Sequence, residues 1–151
     1  MKRIALLLMG FFPLLLIGYG LNHLIMTALY YNAVVYLLIG IAVLAVWFAF
    51  GMLSAKLTGS KKEAVLLLNA PAFLVLLLIL VQELILRAYW MNIIGVATQM
   101  FYLPLLPLSF TLARVLPGVL MVGPWLASAI AFALLVGASC LGRRTAESRG
   151  K

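Results

Sequence analysis

Of the 151 residues, 67% are apolar and 9% charged, and eleven Lys or Arg stand against three Glu, with no Asp. A soluble globular domain carries roughly half apolar and about a quarter charged residues, so this composition excludes that class and any extended disordered tail. A single cysteine, Cys140, also excludes an intrachain disulfide framework. With a mean hydropathy of +1.23, the chain is expected to be an all-α integral membrane protein, a single transmembrane unit over residues 1–151.

A hydrocarbon core about 30 Å thick needs roughly 20 apolar residues per helix. The first run that meets this is residues 4–25, in which Pro13 is expected to bend the helix. Lys2-Arg3 followed by Gly18-x-Gly20 has the form of a cleavable signal peptide. The chain stays apolar beyond it, however, and three remaining spans would leave the ends on opposite sides, so the segment is expected to be retained. Asn22 and His23 then lie near its outer end. The second run, residues 34–55, is stopped by Lys56 and the breaker sequence Thr58-Gly59-Ser60. Trp47, well inside it, is expected to pack or to touch lipid. Small residues Ala45 and Ala49, and Gly51 and Ala55, offer two short contact faces.

The third run is residues 64–86. Pro71 cannot donate to the carbonyl of Leu67, which predicts a kink with Asn69 capping a restarted helix. Near the outer end, Gln82 precedes Glu83, the one charge within a span, and Arg87 follows four residues later in the order that favours a helical ion pair. Ionisable groups within spans are functional suspects, and Glu83, Arg87 and Arg114, with Gln82 and Gln99, form the candidate polar site.

Residues 88–118 then form an outer segment that is far too apolar for an ordinary loop. Asn92, Gly95, Gln99 and Tyr102 recur at a helical spacing, and Pro104 and Pro107 break the helix about halfway along the segment. Each arm is about half a span long. Two geometries satisfy this pattern: a re-entrant hairpin packed among the spans, or two helices lying flat at the outer interface. The fourth run is residues 119–141, with Ala129, Ala133 and Gly137 forming a small-residue packing face. Cys140 reads as a small apolar residue.

Cations set the expected orientation. With the N-terminus inside, Lys2, Arg3, Lys56, Lys61, Lys62, Arg143, Arg144, Arg149 and Lys151 are cytoplasmic, and only Arg87 and Arg114 are outside. A fifth span would send the Arg143-Arg144 tail outward. The expectation is therefore four spans in the cytoplasmic membrane, with both termini cytoplasmic. The pI of about 10.1 reflects topogenic charge at span ends and attraction to anionic lipid rather than a nucleic-acid surface.

One His, one Cys and no Asp leave neither a metal cluster nor a paired-carboxylate centre, so no enzymatic activity and no cofactor are expected. The main functional expectation is an accessory or self-associating membrane subunit, in contact with lipid and with a larger complex or copies of itself. A minimal transporter or channel using Glu83, Arg87 and Arg114, and a lipid-headgroup binder, are the alternatives.

Overall fold

The structure, a computed structural model, describes residues 2–27, 32–115 and 123–149. Among these the regular structure is entirely helical: α1 (Lys2–Thr27), α2 (Ala33–Leu57), α3 (Lys61–Leu80) running on as a π-helical segment (Val81–Leu86), α4 (Ile93–Tyr102), α5 (Leu106–Val115) and α6 (Pro124–Arg149). Four of these stretches, Lys2–Thr27, Ala33–Leu57, Lys61–Leu86 and Pro124–Ser148, are long and apolar enough to cross a membrane. That matches the expected count. Residues 119–122 lie outside the described residues, and the fourth long helix continues well past Leu141.

Helix ends follow local chemistry. The Asn32 side chain accepts from the amides of Val34 and Val35 and starts α2. Ser60 accepts from the amide of Glu63, 3.3 Å away, and starts α3, the first half of a Ser-x-x-Glu capping arrangement. Inward faces then repeat every three or four residues, as a helix facing a common core requires. They are Leu6, Gly10, Leu14, Gly18 and Leu21 on α1 and Tyr36, Gly40, Val43, Trp47, Gly51 and Ser54 on α2.

The backbones approach closely because the inward residues are small. A Cβ at Gly10 would strike the carbonyl of Leu68, and one at Gly51 would strike the backbone of Ser139. The α6 packing face is Ala127, Ala131, Leu135, Ser139 and Gly142. This corrects the expected face. Ala133 and Gly137 point outward, Ala129 is only half-buried, and a Cβ at Gly137 would meet nothing. The two candidate stripes differ by a rotation of about half a helical turn, and small size alone did not select between them. On α2, Ala45 and Ala49 also face outward, while Gly51 packs.

Polar contacts fix which ends lie together. Arg3 of α1 pairs with Glu63 of α3 at 2.6 Å, and Arg143 of α6 donates to the carbonyls of Thr58 and Gly59 in the α2–α3 turn, at 2.9 and 3.2 Å. The first and last helices thus have their outer termini at one end of the bundle, here called the terminal end. At the other end, the amide of Trp125 at the start of α6 donates to Glu83 Oε2 at 2.9 Å, and the amide of Trp90 donates to Gln82 Oε1 at 3.1 Å. The segment between α3 and α6 therefore starts and finishes at the same end. Its described parts form a helix pair bent by 60° rather than a fifth long helix.

Asn69 and Pro71 lie within an uninterrupted α3, as Pro13 lies within α1. Asn69 is not a cap, which corrects the restarted-helix expectation. It is 4% exposed, and its amide joins three helices. It donates to the Val65 carbonyl one turn back (2.8 Å) and to Ser139 Oγ (2.9 Å), and it accepts from Trp47 Nε1 (3.0 Å).

Candidate functional site at the elbow

The α4–α5 unit is bent by 60°, and its bend enters the bundle. Phe101, Tyr102 and Leu105 are buried to 1% exposure or less, and Pro104 is among the fully buried side chains, its carbonyl lying against Gly40 of α2. The Tyr102 hydroxyl donates to the carbonyl of Ala72, 2.7 Å away in the middle of α3. A Cβ at Gly18 of α1 would strike the Met100 carbonyl. Of the two geometries open from the sequence, these contacts match the one packed among the long helices. Irregular backbone at such depth is tolerated where protein covers it.

The π-helical segment positions the polar residues. Its wide turn ends at Arg87, whose φ of 50° lies in the left-handed region, a conformation that costs a non-glycine residue roughly 1 kcal/mol. The turn directs Gln82 inward, where it is fully buried and donates to Thr98 Oγ1 on α4 at 3.3 Å. Asn92 caps α4 by accepting from the Gly95 amide at 2.9 Å. A Cβ at Gly95 would strike the Trp90 carbonyl, so the tight entry into α4 needs glycine there.

Glu83 turns toward α6. Gly123 and Pro124 supply no capping side chain, and Glu83 Oε2 takes that role from 42 residues away through the Trp125 amide. The positive end of the helix dipole favours a carboxylate at this point. Oε1 of the same carboxylate is buried and has no hydrogen-bond partner among the described residues.

The expected Glu83–Arg87 ion pair does not form. The ion pairs among the described residues are Arg3–Glu63 and Arg143–Glu147. Four residues bring two side chains onto one face only in an α-helix; the π turn spoils that register, and Arg87 sits beyond the helix end, exposed. Arg114, the other expected partner, is exposed on α5. Gln99 does come near Glu83. Both line a half-open cleft of about 310 Å³ together with Ile79, Tyr89, Met100, Tyr102, Leu103, Leu106, Pro124 and Ser128. The structure thus brings Glu83 and Gln99 to one cleft, ties Gln82 to α4 beside it, and leaves both arginines outside.

A second concavity of about 780 Å³ runs along α3 and α6 at the terminal end, with Lys61 and Lys62 at one end and Val65, Phe73, Phe132 and Cys140 among its walls. Sequence reasoning missed Arg143 as a structural residue. It is 3% exposed, and its Nε donates to Glu147 at 2.8 Å. The legible signal was Glu147 four residues on, paired with the preceding small residue Gly142. It also missed the Trp47–Asn69 bond, although a buried indole N–H usually finds an acceptor.

No protein-family model matches the chain, no curated protein matches it significantly, and no solved structure does so. The functional reading rests on the chain's own geometry.

Proposed function

We propose that the chain is a non-enzymatic polytopic protein of the cytoplasmic membrane, with both termini cytoplasmic, working as an accessory subunit that docks on a larger membrane complex or on a second copy through its elbow end. Support for the membrane reading comes from an inside-out distribution of residues. Gly, Ala, Ser, Asn and Gln fill inward positions, while Ile4, Leu16, Leu38, Ile41, Leu66 and Leu74 point outward at 54–66% exposure. In water each such side chain would cost about 1.5–3 kcal/mol; in lipid the cost disappears, and small-residue packing and interhelical hydrogen bonds hold the bundle. The excess of cations at the terminal end supports the orientation, and acyl chains suit the apolar walls of the concavity along α3 and α6.

The observation that carries the docking role is the apolar rim at the elbow end. Met91 is 97% exposed, Ile93 85% and Val115 78%, close to the exposed residues Arg87, Asn92 and Arg114. Polar neighbours support a position for this rim at the boundary of the hydrocarbon, where apolar side chains gain least from lipid and most from a partner.

Purification in mild detergent with mass measurement by light scattering tests the role. The expected species is heavier than the 16.5 kDa chain after correction for detergent, and Met91→Glu with Ile93→Glu dissociates it. A monomer, or an assembly indifferent to those changes, overturns the proposal.

A further inference from the structure

We propose that the cleft beneath the elbow binds a small organic ammonium ion, with the Glu83 carboxylate as its counter-ion. Three observations converge. First, Glu83 spends one oxygen on the Trp125 amide at 2.9 Å and keeps the other, Oε1, buried without a partner among the described residues. A buried acceptor left unmade is rare in folded proteins and calls for an explanation in the site's own chemistry. Second, the lining provides no positive side chain: Arg87 and Arg114, the cations of this end, lie outside the cleft and are exposed. A positive charge opposite the ionised carboxylate would therefore come from a ligand. Third, the remaining lining separates an organic ammonium from a bare metal ion. Gln99 and Ser128 are polar, Tyr89 and Tyr102 aromatic, and Ile79 and Leu103 apolar.

Calcium and magnesium take six or more oxygens and zinc takes four ligands, mostly Cys or His; the groups here supply neither set, and the described residues hold no cluster of three His, Cys, Asp or Glu. Aromatic residues beside a carboxylate instead suit an ammonium group attached to an apolar body. A volume of about 310 Å³ lies at the small end of ligand sites, which limits that body to something like a single ring or a short chain. The ammonium hydrogens would bond the Glu83 carboxylate once a small side-chain rotation opens Oε1 to the cleft, with Gln99 and Ser128 as further acceptors.

The test uses the full chain in mild detergent and reads the thermal midpoint and tryptophan fluorescence, Trp125 being adjacent to Glu83. Benzylammonium chloride is expected to raise the midpoint saturably and to change the fluorescence. Benzyl alcohol, the neutral analogue, and sodium chloride at matched ionic strength are expected to do neither. Glu83→Gln keeps an oxygen for the Trp125 amide but removes the charge, and is expected to weaken benzylammonium by about tenfold or more, whereas Glu63→Gln at the opposite end leaves it unchanged. If Glu83→Gln does not fold, Ser128→Ala is expected to weaken binding several-fold. Equal responses to the amine and the alcohol, unchanged affinity in both cleft variants, or no saturable response up to about 10 mM amine would overturn the proposal.

Discussion

The two ends of the bundle handle buried polarity in opposite ways. At the terminal end, the Asn69 amide meets Trp47, Ser139 and the Val65 carbonyl, and Arg143 meets Thr58, Gly59 and Glu147. Donors and acceptors there are matched across α2, α3 and α6. At the elbow end Gln82 is matched in the same fashion, but Glu83 Oε1 and the hydroxyl of Ser109 on α5 are buried without hydrogen-bond partners among the described residues, and a cleft opens beside the carboxylate. Saturated networks rigidify; unsaturated ones keep capacity for something else. The terminal end is built to hold the helices, and the elbow end keeps that capacity.

Breaking the saturated end should cost the most stability. Arg143→Met removes three charge-assisted bonds and leaves two turn carbonyls and Glu147 without their partner, an expected loss of about 2–4 kcal/mol. Thermal denaturation in detergent measures it, and a change within about 0.5 kcal/mol would mean that the staple contributes nothing. Asn69→Leu keeps volume but strands the Trp47 indole N–H and Ser139 Oγ. Interhelical bonds in membranes are individually modest, so the expected cost is about 1–2 kcal/mol, with a shift in Trp47 fluorescence as independent confirmation. A double-mutant cycle with Trp47→Phe should show coupling, because the two side chains share one bond.

The smallest effect sharpens the contrast from the other end. Arg87→Gly relieves a left-handed residue at the end of the π segment while freeing the unfolded chain, two terms of about 1 kcal/mol that oppose each other. Stability is expected to change by less than about 0.5 kcal/mol, and benzylammonium binding not at all. A loss of binding would restore Arg87 to the site from which the geometry removes it.

Much of this architecture was legible in the residues. Uncharged runs of span length, the cation asymmetry and the paired prolines at Pro104 and Pro107 anticipated four long helices and a broken helix pair between the last two. Periodicity also put Asn92, Gly95, Gln99 and Tyr102 on one helical stripe, of which Gly95 and Tyr102 are buried and Asn92 is exposed. What stayed illegible depends on helical phase and on distant partners. Ala133 and Gly137 form as good a small-residue stripe as Ala127 and Ala131 do, and the positions of α2, α3 and α5 decide which one packs. The Glu83–Arg87 spacing promises an ion pair only if the helix stays α, and the π turn cannot be seen in the letters Val81 to Leu86. Asn69 looked like a cap because Pro71 follows it; its partners, Trp47 and Ser139, are 22 and 70 residues away. Within the candidate site, Glu83 and Gln99 were found by their rarity in apolar surroundings, while Ser128 was overlooked as an ordinary small residue.

The account stands most directly on the placement of the elbow across the membrane from both chain ends. In a Cys140→Ser background, single cysteines at two exposed positions, Ala88→Cys at the elbow end and Ser148→Cys near the end of α6, can be reacted on intact cells with a membrane-impermeant maleimide. Labelling of the Ala88→Cys protein before lysis, and of the Ser148→Cys protein only after it, is the predicted result. Labelling of the Ser148→Cys protein on intact cells would contradict it.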